Sequence, residues 1–148
     1  MKKILVIGSL NADMVVRVPH IPVAGETILA ETADTIPGGK GANQAYAAGR
    51  LGAQTVMFGA VGADRYAEIE KKSLQSAGVD VSRLLVRADC ATGLAWITVN
   101  DAGNNSIVVI QGANKTLSEK DIADNDDLLR SCDIILCQLE IPMETVLC

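Results

Sequence analysis

The sequence predicts an α/β fold: a doubly wound, mostly parallel sheet flanked by helices, with a small extra sheet beside it. Three observations carry this expectation. Lys3–Ile7 is a continuous apolar run ending at Gly8, the pattern of a parallel strand buried on both faces. Strand-like and helix-like stretches then alternate in the manner of β-α-β units. Two strand-like runs, 14–18 and 27–30, come before any helix and break that rhythm, so they are assigned to a separate small sheet.

The first strand runs directly into Gly8-Ser9-Leu10-Asn11-Ala12-Asp13. Polar groups just past the carboxyl end of a first parallel strand lie where open α/β sheets bind ligands. Asn11 and Asp13 are therefore site candidates, with the shaping of a turn as the other role open to them. Runs 14–18 and 27–30 are joined through Pro19, Pro22 and Gly25. The stretch Pro37-Gly38-Gly39-Lys40-Gly41-Ala42-Asn43-Gln44-Ala45 then ends an extended run and opens a closely packed helix over 42–51. Glycine lets backbone approach a ligand, and a helix N-terminus presents unpaired N–H groups. Lys40 is out of place there. A cation at that end opposes the helix dipole at a cost of about 0.3–1 kcal/mol, so a compensating group is expected. Asn43, one turn on, shares its side of the helix. A plain tight turn with a solvated lysine is the other reading of this stretch.

Residues 54–62 read as a second buried strand. Asp64 is placed to cap a helix that reaches Ala77 and closes at Gly78. Tyr66, Ile69 and Leu74 mark its buried side, and Glu68, Glu70, Lys71 and Lys72 its wet one. Strands are expected at 84–87 and 93–99, followed by the hairpin turn Asp101-Ala102-Gly103-Asn104-Asn105 and a return strand at 106–110. Gly112-Ala113-Asn114 makes a polar stop, with a structural role for Asn114. Ser118-Glu119-Lys120-Asp121 has the form of a capping box and opens a helical region to Arg130. Residues 133–137 are another buried strand, with Gln138-Leu139-Glu140 off its carboxyl end. Pro142 suits a first helical position, yet the residues after it make only a marginal helix. The chain is therefore expected to be a truncated piece of a larger unit.

The 148 residues amount to one ordinary domain, 49% hydrophobic and able to bury a core. A net charge of -5 without a Lys/Arg cluster excludes nucleic acid and anionic membrane as expected partners. With 3% aromatic residues, base-stacking surfaces and tryptophan platforms for carbohydrate are not expected either. Cys90, Cys132, Cys137 and Cys148 form no CxxC pair, and His20 is the single histidine, so no metal set is expected. The cysteines read as buried thiols of a reducing compartment. The N-terminal apolar run is too short for a signal peptide or a membrane span, which makes a cytoplasmic location the expectation. No internal repeat or linker is evident. The GxxxxGK[ST] phosphate loop fails, because Asp34 stands at its first glycine and Gly41 follows Lys40. The GxGxxG spacing also fails after Gly39-Lys40-Gly41, and His20 lies in a proline-rich turn that suits no catalytic triad.

Taken together, Gly8-Ser9-Leu10-Asn11-Ala12-Asp13, Gly25-Glu26-Thr27, Gly38-Gly39-Lys40-Gly41-Ala42-Asn43-Gln44 and Gln138-Leu139-Glu140 closely resemble the N-terminal half of ribokinase-like members of the PfkB family of sugar and nucleoside kinases. The likeness covers essentially the whole chain, in order and without large gaps. Its most specific part is the Gly38–Gln44 string with Ala47-Ala48-Gly49-Arg50-Leu51-Gly52 behind it. The resemblance implies that residues 1–148 are the N-terminal part of a single ribokinase-like α/β domain. Lid strands inserted at about 12–36 and 93–110 would close over a sugar, and the lids of two subunits would pack as a homodimer.

By position, the resemblance places Asn11, Asp13, Gly39, Lys40, Asn43 and Glu140 around the sugar hydroxyls. Asp13 and Glu140 would act as acceptors, Lys40 and Asn43 as donors, and lid residues Ala95 and Ile97 would cover the apolar side. A site that hydrogen-bonds each hydroxyl rejects analogues lacking one. Lys40 would also gain the carboxylate neighbours that its helix position calls for. Asp13 as a turn former, Asn43 as a packing polar group and Glu140 as a cap for the helix at Pro142 stay open. Ala67 departs from the glycine common in the family, which bears on the loop after Asp64 rather than on the sugar site.

The implied activity is transfer of the γ-phosphate of ATP to a sugar hydroxyl, with D-ribose as substrate and ribose 5-phosphate as product. In the family the aspartate base, its Gly-Ala-Gly-Asp-like anion-binding stretch, the pocket for ATP with Mg2+ and the monovalent-cation (K+) site belong to the C-terminal half. No catalytic residue is therefore expected in this chain, which alone is expected to be inactive. A fructokinase or nucleoside kinase is the alternative within the family. A non-catalytic sugar-binding or interaction module is the alternative outside it.

Overall fold

In chain order the elements are β1 (Lys3–Ile7), β2 (Asn11–Val18), β3 (Thr32–Gly38), α1 (Lys40–Arg50), β4 (Gln54–Phe58), β5 (Ala60–Gly62) and α2 (Arg65–Ser76). They continue as β6 (Leu85–Arg87), β7 (Gly93–Asn100), β8 (Asn105–Ile110), a 3-10 turn at Gly112–Thr116, α3 (Glu119–Ala123), α4 (Asp126–Arg130), β9 (Ile134–Cys137) and α5 (Met143–Leu147). The structure is a computed structural model and describes residues 2–148.

The main sheet is parallel throughout, in the order β4-β1-β9. Side chains alternate between its two faces, and each face is roofed by different helices. Leu5, Ile7, Val56 and Phe58 pack with Ala113, Leu117, Ile122 and Leu128 on one side. Val6 and Met57 pack with Ala42, Ala45, Ala67 and Leu74, from α1 and α2, on the other. Helices on both faces of a parallel sheet are the doubly wound arrangement. β9 is less buried than its sequence predicts. Its apolar run predicts burial on both faces, yet Ile134 and Ile135 are 42% and 43% exposed. Among the described residues β9 pairs with β1 alone, which leaves its other edge open.

Residues 54–62 form two strands rather than one. The chain leaves the main sheet at Gly59, whose carbonyl accepts the Leu85 amide, and β5 pairs in parallel with β6. The second sheet has the order β3-β2-β7-β8, with β2 and β7 parallel and both outer pairs antiparallel. Residues 27–30 are not a strand: the partner of β2 starts at Thr32, opposite Arg17. The loop before it is shaped locally by Glu26, whose carboxylate accepts the Val23 amide and meets His20 at 2.8 Å. β2 itself begins at Asn11, so Asn11 and Asp13 stand in a strand and form no turn.

α2 begins where expected. The Asp64 carboxylate accepts the Tyr66 and Ala67 amides at 3.1 and 3.0 Å, and it also accepts the amide and hydroxyl of Thr92, next to β7, at 2.8 and 2.7 Å. One member of its supposed wet side is misassigned: Glu70 is fully buried, because that face of α2 packs against β2 and β3. The capping box at Ser118 is present, but the helical region it opens breaks into α3 and α4 at Asp124-Asn125. The cysteines are free and less buried than expected, with Cys90 and Cys132 half-buried and Cys137 and Cys148 exposed. Among the described residues, no helix is long and apolar enough to cross a membrane.

Candidate functional site

The Gly38-Gly39 corner and the start of α1 set the geometry of the site. Gly39 has φ 88, a left-handed conformation costly for other residues, and α1 starts on the next residue. Gly41 packs directly on Gly8-Ser9, where an added Cβ would stand 2.6 Å from the Ser9 nitrogen. This contact brings the first turn of α1 against the end of β1. Glu140, which follows β9, reaches the same point.

Asn11, Asp13, Gly39, Lys40, Asn43, Ala95, Ile97 and Glu140, the eight residues named from the sequence, all line one cleft of about 200 Å³. Its floor is polar. Lys40 Nζ lies 2.6 Å from Glu140 Oε1, while Glu140 Oε2 accepts the Lys40 amide at 3.0 Å and the Ser9 hydroxyl at 2.7 Å. Ser9 Oγ in turn accepts the Gly41 amide at 3.2 Å. Thus Glu140 places a carboxylate on the N-terminus of α1, which offsets the misplaced charge of Lys40. Lys40 is largely exposed, so this pair contributes about 1 kcal/mol or less to stability; its effect is mainly to orient Glu140. Glu140 does not cap α5, whose N-terminus has no side-chain cap.

The two carboxyls are driven in opposite directions. Burial pushes Asp13 up, the Glu140 charge adds to this, and Lys40 offsets only part, so its pKa lies above the ordinary value. Burial also acts on Glu140, but the hydrogen bonds from the Lys40 side chain and amide and from Ser9, with the Lys40 charge, outweigh it and hold its pKa below the ordinary value. Glu140 is an occupied, ionised anchor. Asp13 is the freer acceptor. Asn43 is exposed on the first turn of α1, not packed inside. The Asn11 amide is fixed from behind: Asn114 Nδ2 donates to Asn11 Oδ1 at 2.8 Å, which leaves the Asn11 NH2 free to face a ligand.

The roof is apolar and comes from β7 and β8. Ala95 and Ile97 are joined there by Ile107 and Val109, which are 50% and 52% exposed across the opening. The volume is below the roughly 300–1,000 Å³ of typical drug-sized pockets, and one ammonium committed to a carboxylate leaves little for a phosphate. Among the described residues, no group of three His, Cys, Asp or Glu side chains could hold a metal ion. The arrangement suits a small neutral ligand with several hydroxyls.

Residues 1–146 match the profile described as pfkB family carbohydrate kinase. The chain belongs to this family. Ribokinase of Bacillus subtilis is 42% identical over 146 residues, which are 99% of this chain and 50% of that protein. Deoxyribokinase of Salmonella typhi is 39% identical over 143 residues, covering 97% of this chain and 47% of that protein. The structure of Arabidopsis thaliana ribokinase complexed with ribose and ATP superposes with a TM-score of 0.86 at 35% identity, over 95% of this chain and 46% of that one. This pfkB-family chain spans about half the length of the curated relatives it matches.

Sequence reasoning missed four contributors to the cleft of this pfkB-family chain. Ile107 and Val109 were within reach, because the hairpin turn puts them opposite Ile97 and Ala95 on one face. Ser9 sits between two recognised motif positions but carries no signal of its own. Asn114, assigned only a structural role, clamps Leu10 by two hydrogen bonds, at 3.0 and 3.1 Å, besides holding Asn11.

Proposed function

We propose that this chain is the sugar-binding part of an ATP-dependent carbohydrate kinase that converts D-ribose to ribose 5-phosphate. The observation that carries this reading is the two-sided cleft of a pfkB-family chain, with Asn11, Asp13, Lys40, Asn43 and Glu140 below and Ala95, Ile97, Ile107 and Val109 above. Hydroxyls of a furanose would meet the floor and its C–H face the roof, so polar groups set orientation while apolar contact excludes water. The ribose and ATP complex of the Arabidopsis neighbour supports the sugar assignment.

In this reading β2, β3, β7 and β8, over 12–36 and 93–110, act as a lid on a single ribokinase-like domain. The outer face of that sheet exposes Trp96, Val108 and Ile110, which supports a homodimer formed through it. ATP with Mg2+ would supply the phosphoryl group, with K+ as the monovalent cation. The cleft is small and its one ammonium is paired with Glu140, which leaves little for a triphosphate, so no site for ATP, Mg2+ or K+ is assigned to these residues. No catalytic base is assigned here, and the 148-residue chain alone is taken to be inactive in the reducing cytoplasm that the free cysteines suit.

Calorimetry with ribose, 2-deoxyribose, fructose and adenosine, without ATP, tests the binding step. Ribose is expected to bind, and 2-deoxyribose at least about tenfold more weakly, since a missing hydroxyl leaves a cleft group unpaired. Tighter binding of deoxyribose would move the assignment to the deoxyribokinase-like relative. Absence of ribose binding would overturn the reading. Reading the coding sequence past the codon for Cys148 separates kinase from binding module: ribose phosphorylation by a longer product supports the kinase, and a stop codon there supports the module.

A further inference from the structure

Glu70 is fully buried on α2, and the sugar-cleft description makes no use of it. Its Oε1 accepts the Gly38 amide at 3.1 Å, and its Oε2 is buried without a hydrogen-bond partner. β3 is the edge of the second sheet, so the outward N–H of Gly38 has no strand to pair with, and Glu70 supplies its acceptor. On the other side, the Asp13 carboxyl lies so close over Gly38 that any Cβ there would collide with it. Gly38 is thus held between a buried carboxyl on its N–H and a cleft carboxyl on its Cα, one residue before the Gly39 corner that starts α1.

We propose that Glu70 is a positioning residue for the cleft, fixing the Gly38 amide from behind and with it the seat of Asp13 and the Gly39 corner. The role rests on the sugar-site reading for its ligand, and on the geometry of Gly38 for its mechanism. A neutral acid suits the place, since its carbonyl oxygen accepts the amide while no second charge is set beside Asp13. Burial pushes the Glu70 carboxyl up, the Gly38 hydrogen bond offsets part and the Asp13 charge adds to the rise, leaving it at about 8. The other titratable groups on elements packed against α2 are Arg17 on β2, Asp34 on β3 and Lys40, Tyr46 and Arg50 on α1, and β5 has none. On α2 itself they are Arg65, Tyr66, Glu68, Lys71 and Lys72. Of these charges, it is Asp13 that raises Glu70.

The test compares wild type, Glu70→Gln and Glu70→Leu, with ribose as the probe in calorimetry from pH 6.5 to 9 and amide NMR in parallel without sugar. An ionised Glu70 still accepts the Gly38 amide but sets a second charge behind Asp13 and disturbs its seat, so wild-type affinity is expected to fall, by up to about tenfold, between pH 7 and pH 9. Glu70→Gln keeps the acceptor but cannot ionise, so its affinity loses this dependence on pH. Glu70→Leu lacks the acceptor and binds more weakly at every pH. Identical pH profiles for wild type and Glu70→Gln overturn the proposal. If ribose fails to bind wild type at all, the sugar reading falls and the NMR arm decides alone. The Gly38, Gly39 and Lys40 amides must then titrate near pH 8 in wild type and not in Glu70→Gln, and their failure to do so overturns the positioning role.

Discussion

The floor and the roof of the cleft are built on opposite physical terms. In the floor, each oxygen of Glu140 is already engaged, Ser9 both donates and accepts, and Asn11 is clamped by Asn114. In the roof, Ile107 and Val109 stand half in water and make no directional contact. A polar group preset by its neighbours gives orientation and discrimination, and it costs several kcal/mol to leave unpaired in a buried site. An apolar roof adds affinity in proportion to area and tells hydroxyl patterns apart poorly. Specificity therefore belongs to the floor and grip to the roof.

The sharpest way to break this division is Asp13→Asn. Losing a charged acceptor is expected to lower ribose affinity about tenfold to a hundredfold, as read by calorimetry at pH 7. Stability should move the other way. Asp13 is raised in the fold, so its ionised form works against folding above its folded value, and the cost disappears as pH falls through it. Asp13→Asn is therefore expected to melt at the wild-type temperature or above at pH 7. A lower melting temperature together with unchanged affinity would reverse the assignment.

A smaller effect is expected from Glu140→Gln. The Glu140 carboxyl is lowered in the fold, so it contributes stability that is present above the ordinary carboxylate range and lost as pH falls through its lowered value. Glu140→Gln should cost about 1 kcal/mol at pH 7 and converge with wild type in acid, measured by thermal melting across pH 2.5–7. A gap that stays constant with pH would remove the electrostatic account. The mildest change is Ile107→Ala in the roof. Half-burial of that side chain by a ligand is worth about 1 kcal/mol, or about fivefold in affinity, with the preference for ribose over 2-deoxyribose unaltered. A change in that preference would mean the roof also reads hydroxyls.

The site was more legible than its supports. The string Gly38–Gln44 is contiguous, so one stretch placed Gly39, Lys40 and Asn43 together, and the demand of Lys40 for a carboxylate was met by Glu140. Glu70 was hidden because it stands among Glu68, Lys71 and Lys72, whose charges mark a wet helix side, and nothing local shows that α2 covers the edge of the second sheet. β1 and β9 carry the same kind of apolar run, yet Leu5 and Val6 are fully buried and Ile134 and Ile135 are not. Apolar pattern states what a strand tolerates, while its rank in the sheet decides what it receives. The run 27–30 failed for a related reason: β propensity is a fit to neighbours, and the register of β2 found its partner at 32–38 instead.

Asp64 ties the first turn of α2 to the point where β7 begins. The same carboxylate that caps α2 also holds Thr92, the last residue before β7 enters the roof, and Thr92 in turn accepts the Gly62 amide. α2 carries Glu70, and Glu70 carries Gly38. Asp13 stands on β2, in register with Ala95 of β7. Roof, floor and α2 are thus tied into one hydrogen-bonded unit, and the seat of Asp13 is set from its own sheet and from Gly38 together.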